Sequence, residues 1–315
     1  MLGGVVLAVY NDAPHHGTPI GYGLALGNGG AIISEGSPTN LNHIVYYNAV
    51  QEQASDAWDN WNQPYSFQTL AGLSSVPTAY FRFTDWALPG GNGGHLNGHK
   101  NTAAAFTLVD CRFSGGQIVS TQPSCYVTNC LFERVNVDLE DSDSPNGGVT
   151  INGYNNLFWN GSLSMIHQRS SSAFTFRNNA FDHTVNSVSG SVVGDHNGYI
   201  GGAATIGSGG SDVTLSSLTY AAGPLGAYYQ FPGSSLYGAG SASAAALGLY
   251  HYTAQAGQQK AGAATVSIGL HYVAMQVSVL TLDISFPISN ARLRTGLIFQ
   301  LFNGEAGRTG GRLHL

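Results

Sequence analysis

Charge is scarce in this chain. Of its 315 residues 9% are charged, with 11 Lys+Arg against 17 Asp+Glu and a formal net charge of −6. That excludes the basic field which binding to a phosphate backbone requires, so nucleic acid is not an expected partner. No stretch approaches the roughly 18 to 20 consecutive apolar residues of a membrane span, and none is expected. The opening MLGGVVLAVYNDAPHHG has no basic region before its short apolar run, so it does not read as a signal peptide. Cysteine is equally sparse: three residues, with no CxxC and no His/Cys cluster at zinc spacing. What the chain has in quantity is glycine (43 residues) and apolar side chains (43%), enough for one large core or two modest ones.

An eight-residue word recurs through the middle of the chain: FTLVDCRF (106–113), CYVTNCLF (125–132), INGYNNLF (151–158), FTFRNNAF (174–181) and VVGDHNGY (192–199). The closing aromatics, Phe113, Phe132, Phe158, Phe181 and Tyr199, are spaced 19, 26, 23 and 18 residues apart, close to the short end of solenoid repeats. Phe106, Cys125, Ile151, Phe174 and Val192 open the words, and the residues two further on alternate with them as one face of a strand. Five residues then separate that phase from the aromatic, an odd step that a continuous strand would send to the opposite face. The chain must therefore bend at Asp110, Asn129, Asn155, Asn178 and His196, followed by Cys111, Cys130, Asn156, Asn179 and Asn197. Asn and Asp suit such a corner because they tolerate the left-handed conformation and can bond the local backbone. A third column follows at Ile118, Val137 and Leu163, with polar Asn186 in the fourth word.

Stacked in register, these bent units predict an all-β fold, a right-handed parallel β-helix (single-stranded solenoid) in which Asn side chains form a ladder. An antiparallel sandwich would also use short strands and Gly-rich turns, but it does not require equal side chains at equal offsets. The rungs are expected over 65–200, with TAYFRFTDW (78–86) as an earlier rung ending at Trp86 and 87–101 as a flexible excursion. Residues 1–64 read as an irregular segment with a short helix within 43–61, and 201–274 as an irregular Gly/Tyr-rich extension packed on the solenoid.

The phrases NCLFERVN, FRNNAFDHT, DHNGY, AAGPLGAYYQ, GLYHYTAQ and SIGLHYVA resemble large secreted or surface β-helix proteins of Verrucomicrobia-type bacteria, over roughly 65–274. The resemblance implies a right-handed parallel β-helix and an extracellular or cell-surface setting, and it brings no activity with it. In that family an Asp-rich run that looks calcium-binding follows the HYVA phrase. Here 275–315 reads MQVSVLTLDISF onward instead, which predicts an out-of-frame or foreign tail on an internal piece of a longer frame.

Paired carboxylates for glycoside hydrolysis, or carboxylates converging on calcium beside a basic side chain, would mark an enzyme on this fold. The words carry neither, and no catalytic residue is assigned. Asp110 and Asp182 fall in different columns, and Arg112 shares its column with Leu131, Leu157, Ala180 and Gly198. The candidates for ligand contact are Glu133, Trp159 and Asp182, each one residue past an aromatic anchor. The acidic run holding Asp138, Glu140, Asp141 and Asp143 offers the alternating oxygens calcium takes, so calcium is the one cofactor considered; without an EF-hand pattern a solvated loop is the simpler reading. His167, His183 and His196 are spread over three rungs. Because neighbours along a strand face opposite ways, neither Asp182–His183 nor Asp195–His196 is expected to form an acid/base couple. Asn160–Ser162 matches a glycosylation sequon, a pattern common by chance. Cys111 and Cys130 occupy one corner column on adjacent rungs, and both stacked thiols and a disulfide fit that placement.

The expectation is therefore a non-enzymatic structural or surface-display β-helix, monomeric and part of a larger exported protein. The alternative is a polysaccharide lyase, a glycoside hydrolase or a glycan-binding module, with polysaccharide or other surface components as partner.

Overall fold

The structure, a computed structural model, describes residues 1, 3–9, 24–46, 65–69, 74–75, 77–88, 94–98, 105–121, 124–141, 148–207 and 209–275. Among these residues it is all-β, with no helix. Three parallel sheets run the length of a solenoid: sheet I with seven strands, sheet II with nine and sheet III with seven. One rung is Thr150–Tyr154 in sheet I, Leu157–Trp159 in sheet II and Ser162–Ile166 in sheet III, and the next repeats it as Ala173–Arg177, Ala180–Asp182 and Val185–Ser189.

Register follows the words. In sheet II Phe113 pairs with Trp86 and Phe132, Phe132 with Phe158, Phe158 with Phe181, and Phe181 with Tyr199. The rings from Trp86 to Tyr199 lie near parallel, with centroids 4.6–5.6 Å apart. Each is almost wholly buried. Offset stacking adds to area burial in such a column, because each ring meets one above and one below. Tyr199 ends the stack with its hydroxyl bonded to the Ile206 backbone. The Ile118, Val137, Leu163 and Asn186 column pairs strand to strand in sheet III, and Phe106, Cys125, Ile151 and Phe174 do so in sheet I.

At the corner between sheets I and II, Phe83, Asp110, Asn129, Asn155, Asn178 and His196 all have φ between 47 and 60°. The residue after each turns inward. Asn179 Oδ1 accepts from the backbone N–H (3.0 Å) and the side-chain amide (2.9 Å) of Asn156, and Asn197 Oδ1 does the same for Asn179 at 3.0 and 3.2 Å. Asn156 in turn accepts the Cys130 N–H at 2.8 Å, and Asp212 the Asn197 N–H at 2.8 Å. These buried amides would otherwise have no partner, since the strand ladders stop at the bend. A second corner, between sheets II and III, places Arg134, Asn160 and His183 at φ 50 to 56°.

Cys111 and Cys130 continue the ladder as free thiols, the Cys111 N–H meeting Cys130 Sγ at 3.4 Å, while Cys125 is interior in sheet I. Burial pushes the Cys125 thiol up to about 12 and Cys130 well above its ordinary value, so both are poor nucleophiles.

The structure departs from the sequence reading upstream. Strands at Val6–Val9, Leu24–Leu26, Ala31–Glu35 and Asn42–Tyr46 already belong to the three sheets. The helical pattern expected at 43–61 thus begins in a sheet II strand, and 47–61 lie outside the described residues. Gly94–Gly98, read as part of a flexible excursion, is a sheet III strand with Leu96 in the core and His95 packed on Trp86 and Phe113. Its glycines hid the alternation. The atypical 275–315 lies outside the described residues apart from Met275.

Replacing Phe158, 3% exposed and stacked on both sides, by Ala should cost about 3–5 kcal/mol in urea denaturation. A loss below about 1 kcal/mol would place the ring outside the stabilising column.

Candidate functional site

The words that build the core also build a docking strip on the outside of sheet II. Leu131, Leu157 and Ala180 immediately precede the inward aromatics and so point outward, yet they are buried, as is Ile200. They pack against Tyr229, Leu236, Ile268, Leu270 and Tyr272 of the C-terminal extension. Each fully buried Leu or Ile contributes about 1.5–3 kcal/mol to holding that extension down. The extension contains antiparallel pairs, Tyr220–Gly223 with Gly226–Gln230 and Tyr252–Thr253 with Tyr272–Val273.

The left-handed corner residues supply the polar half of this seam. The Asn129 side chain accepts the His271 N–H and donates to its carbonyl, both at 2.8 Å. Asn155 donates to Ser267 O at 3.3 Å, and Asn178 Oδ1 accepts the Ser241 N–H at 2.8 Å. Asp110 is the centre of the most ionic cluster: its carboxylate accepts from Arg82 Nε (3.1 Å), Tyr252 OH (2.8 Å) and Asn129 Nδ2 (2.7 Å). Burial raises the Asp110 pKa, opposed by the hydrogen bonds from Asn129 and Tyr252 and by Arg82. A cleft of about 360 Å³, including its open mouth, is lined here by Asp110, Cys111, Arg112, Tyr252, His271 and Tyr272 among others. Arg112 spans it, donating to Leu225 O and lying over the Tyr272 ring.

The three residues read as ligand contacts are brought side by side, Glu133 opposite Trp159 and Trp159 opposite Asp182. The extension engages all three. Glu133 pairs with Arg134 at 3.0 Å and adds its charge to burial in raising the Tyr228 pKa, and Trp159 meets Tyr228 edge-on. Asp182 is 2% exposed, with one oxygen on His183 Nδ1 (2.6 Å) and the other accepting the Tyr220 hydroxyl (2.9 Å).

That His183 contact corrects the sequence argument; His196 Nδ1 also lies 2.9 Å from Asp195, but outside hydrogen-bond geometry. Strand alternation fails at both because His183 (φ 50°) and His196 (φ 53°) sit at left-handed corners, where the side chain turns back toward its predecessor. The Asp182–His183 pair has the geometry of an oriented base, but no nucleophile or oxyanion donor accompanies it among the described contacts.

The acidic run comes together only in part: burial, and then the nearby Glu140 carboxylate, raise the Asp138 pKa, partly offset by a hydrogen bond from Ser164. Asp138 and Glu140 share the outer face of sheet III. Asp141 is buried, its two oxygens accepting the Gln168 and Arg169 N–H groups at 2.7 and 3.0 Å. Asp143 lies outside the described residues. Among the described residues no group of three His, Cys, Asp or Glu is placed to hold a metal.

Sequence reasoning missed the seam itself. The signal was present in the doublets Leu131-Phe132, Leu157-Phe158 and Ala180-Phe181, since two consecutive apolar residues in a strand mean burial on both faces. No family model, no curated protein and no solved structure matches this chain.

Asn129→Gly keeps the left-handed backbone free of strain but leaves the buried His271 N–H and C=O unpaired. It should destabilise the chain by about 2–4 kcal/mol and expose 220–275 to protease. Asn152→Ala, on the outer face of sheet I, should stay within about 0.5 kcal/mol. Equal effects for the two would remove Asn129 from the seam.

Proposed function

We propose that this chain is a non-enzymatic structural solenoid of an exported protein, positioned outside the cell or on its surface. The observation that carries the reading is the fate of the buried carboxylates: Asp110, Asp141 and Asp182 are each saturated by bonds that tie one part of the fold to another. Catalytic carboxylates need a free oxygen facing substrate. The resemblance of the GLYHYT and GLHYVA phrases to surface β-helix proteins supports the location. External protease applied to intact source cells should remove the protein, and purified chain should release no sugar from neutral or acidic polysaccharides. Full protection inside the cell, or turnover of any polysaccharide, would sink this reading.

A second reading, glycan binding without catalysis, is favoured by the outer face of sheet I. There Tyr126 pairs with Asn152 and Asn152 with Thr175, while Tyr154 pairs with Arg177 on the adjacent column. Tyr126 is 37% exposed, and Arg177 is exposed with no ion pair among the described residues. Aromatic faces, amide and hydroxyl groups and a cation on a rigid flat sheet are what an acidic saccharide takes. Affinity electrophoresis in gels containing uronate polysaccharide should retard the chain, and Tyr126→Ala with Arg177→Ala should reduce that at least about tenfold. Unretarded migration of the unaltered chain counts against it.

A further inference from the structure

The C-terminal extension is held to the solenoid around a ring that no side chain bonds. The backbone of His271 is clamped by Asn129, but its imidazole is 2% exposed and meets no side-chain partner; the Gly269 backbone oxygen is its one polar neighbour, and neither ring nitrogen reaches good hydrogen-bond geometry. Asp110, Cys111 and Arg112 face the same cleft from the solenoid, and Tyr252 and Tyr272 from the extension. Arg82 stands behind them, bonded to Asp110 and to Tyr252 at 3.3 Å. Asp110, the one carboxylate in this set, is already shared among Arg82, Tyr252 and Asn129, while Arg112 adds a second cation. A neutral imidazole tolerates such a place; an imidazolium, buried with no carboxylate free to pair with it, does not. Lifted into water, the same ring would take a proton near its ordinary pKa of about 6.5.

We propose that the extension, residues 216–275, is an acid-released latch on the solenoid with His271 as its trigger. Burial pushes the docked imidazole down to about 4, outweighing the Gly269 backbone oxygen, which acts in the other direction. The folded pKa therefore lies below the undocked one, so docking is fully stable above about pH 6.5 and weakens as pH falls toward 4. Each unit costs about tenfold, or up to about 300-fold across the window. Asp110 works in the opposite sense, because burial raises its pKa and its protonation favours the docked form. Release would uncover the apolar strip of Leu131, Leu157, Ala180 and Ile200, turning a closed face into an adhesive one.

Hydrogen exchange on the full chain, corrected for intrinsic rates, tests this between pH 6.5 and 4.5. Peptides within 220–275 should lose protection by up to about 100-fold while those within 150–189 hold theirs, and His271→Gln should flatten the response. His95, a buried core imidazole also pushed down to about 4, weakens the solenoid itself in this window, which is why the two regions are compared. Parallel loss in both regions, or an undiminished slope in His271→Gln, would overturn the latch. Where His271→Gln does not dock at neutral pH, NMR titration of the wild-type imidazole decides: a value below about 5 supports the proposal and one near 6.5 refutes it.

Discussion

The corner between sheets I and II depends on one hydrogen bond repeated from rung to rung, a backbone N–H donating to the side-chain oxygen of the residue stacked beneath it. Parallel strands satisfy their own backbones, but where the chain bends the ladder is broken, and the amides there are buried. Asn156, Asn179 and Asn197 repair it with a side chain that accepts from the preceding rung and donates back to it: Asn179, for instance, accepts the Asn156 N–H and gives an amide hydrogen to Gly153 O at 2.9 Å. Without that repair the bend would leave an unpaired buried donor on each rung, at a cost of about 1–3 kcal/mol apiece. The aromatic column lies directly beyond this corner, so the ladder also sets the spacing at which Phe132, Phe158 and Phe181 stack.

The ladder has a second consequence. Turning one residue inward requires the preceding one to adopt φ near +55°, and its side chain then points outward at the seam. Asp110, Asn129, Asn155 and Asn178 are therefore chosen twice, once for a conformation that β-branched residues avoid and once for the bonds they make to the extension. Solenoid and extension are in this sense one structure. Among the described residues, Asp110, Asn129, Asn155 and Asn178 are spent on joining them.

Much of the solenoid was legible because its period is carried by side chains at fixed offsets. The odd step between Leu108 and Phe113 demanded a bend, and Asp110 and Asn129 named its conformation. The Gly94–Gly98 strand was illegible because glycine removes the alternation that marks a strand, although Leu96 is wholly buried there. The candidate site was less accessible still. Tyr252 and Asp110 are 142 positions apart, and nothing local in either segment announces the pairing. Glu133, Trp159 and Asp182 were grouped correctly by offset, yet their covering by Tyr220 and Tyr228 depends on how the extension folds back. The Asp182–His183 contact was lost to a rule about strands applied at a residue that is not in one.

The ladder is tested most directly by the exchange rate of a single amide hydrogen. In Asn179→Ala the Asn156 N–H loses the oxygen that accepts it at 3.0 Å, while the strand bonds on either side remain. The account predicts that this amide, strongly protected in the unaltered chain, exchanges at least about tenfold faster, together with its neighbours along the corner and ahead of the sheet interiors. An Asn156 amide as protected in the variant as in the original chain would contradict it.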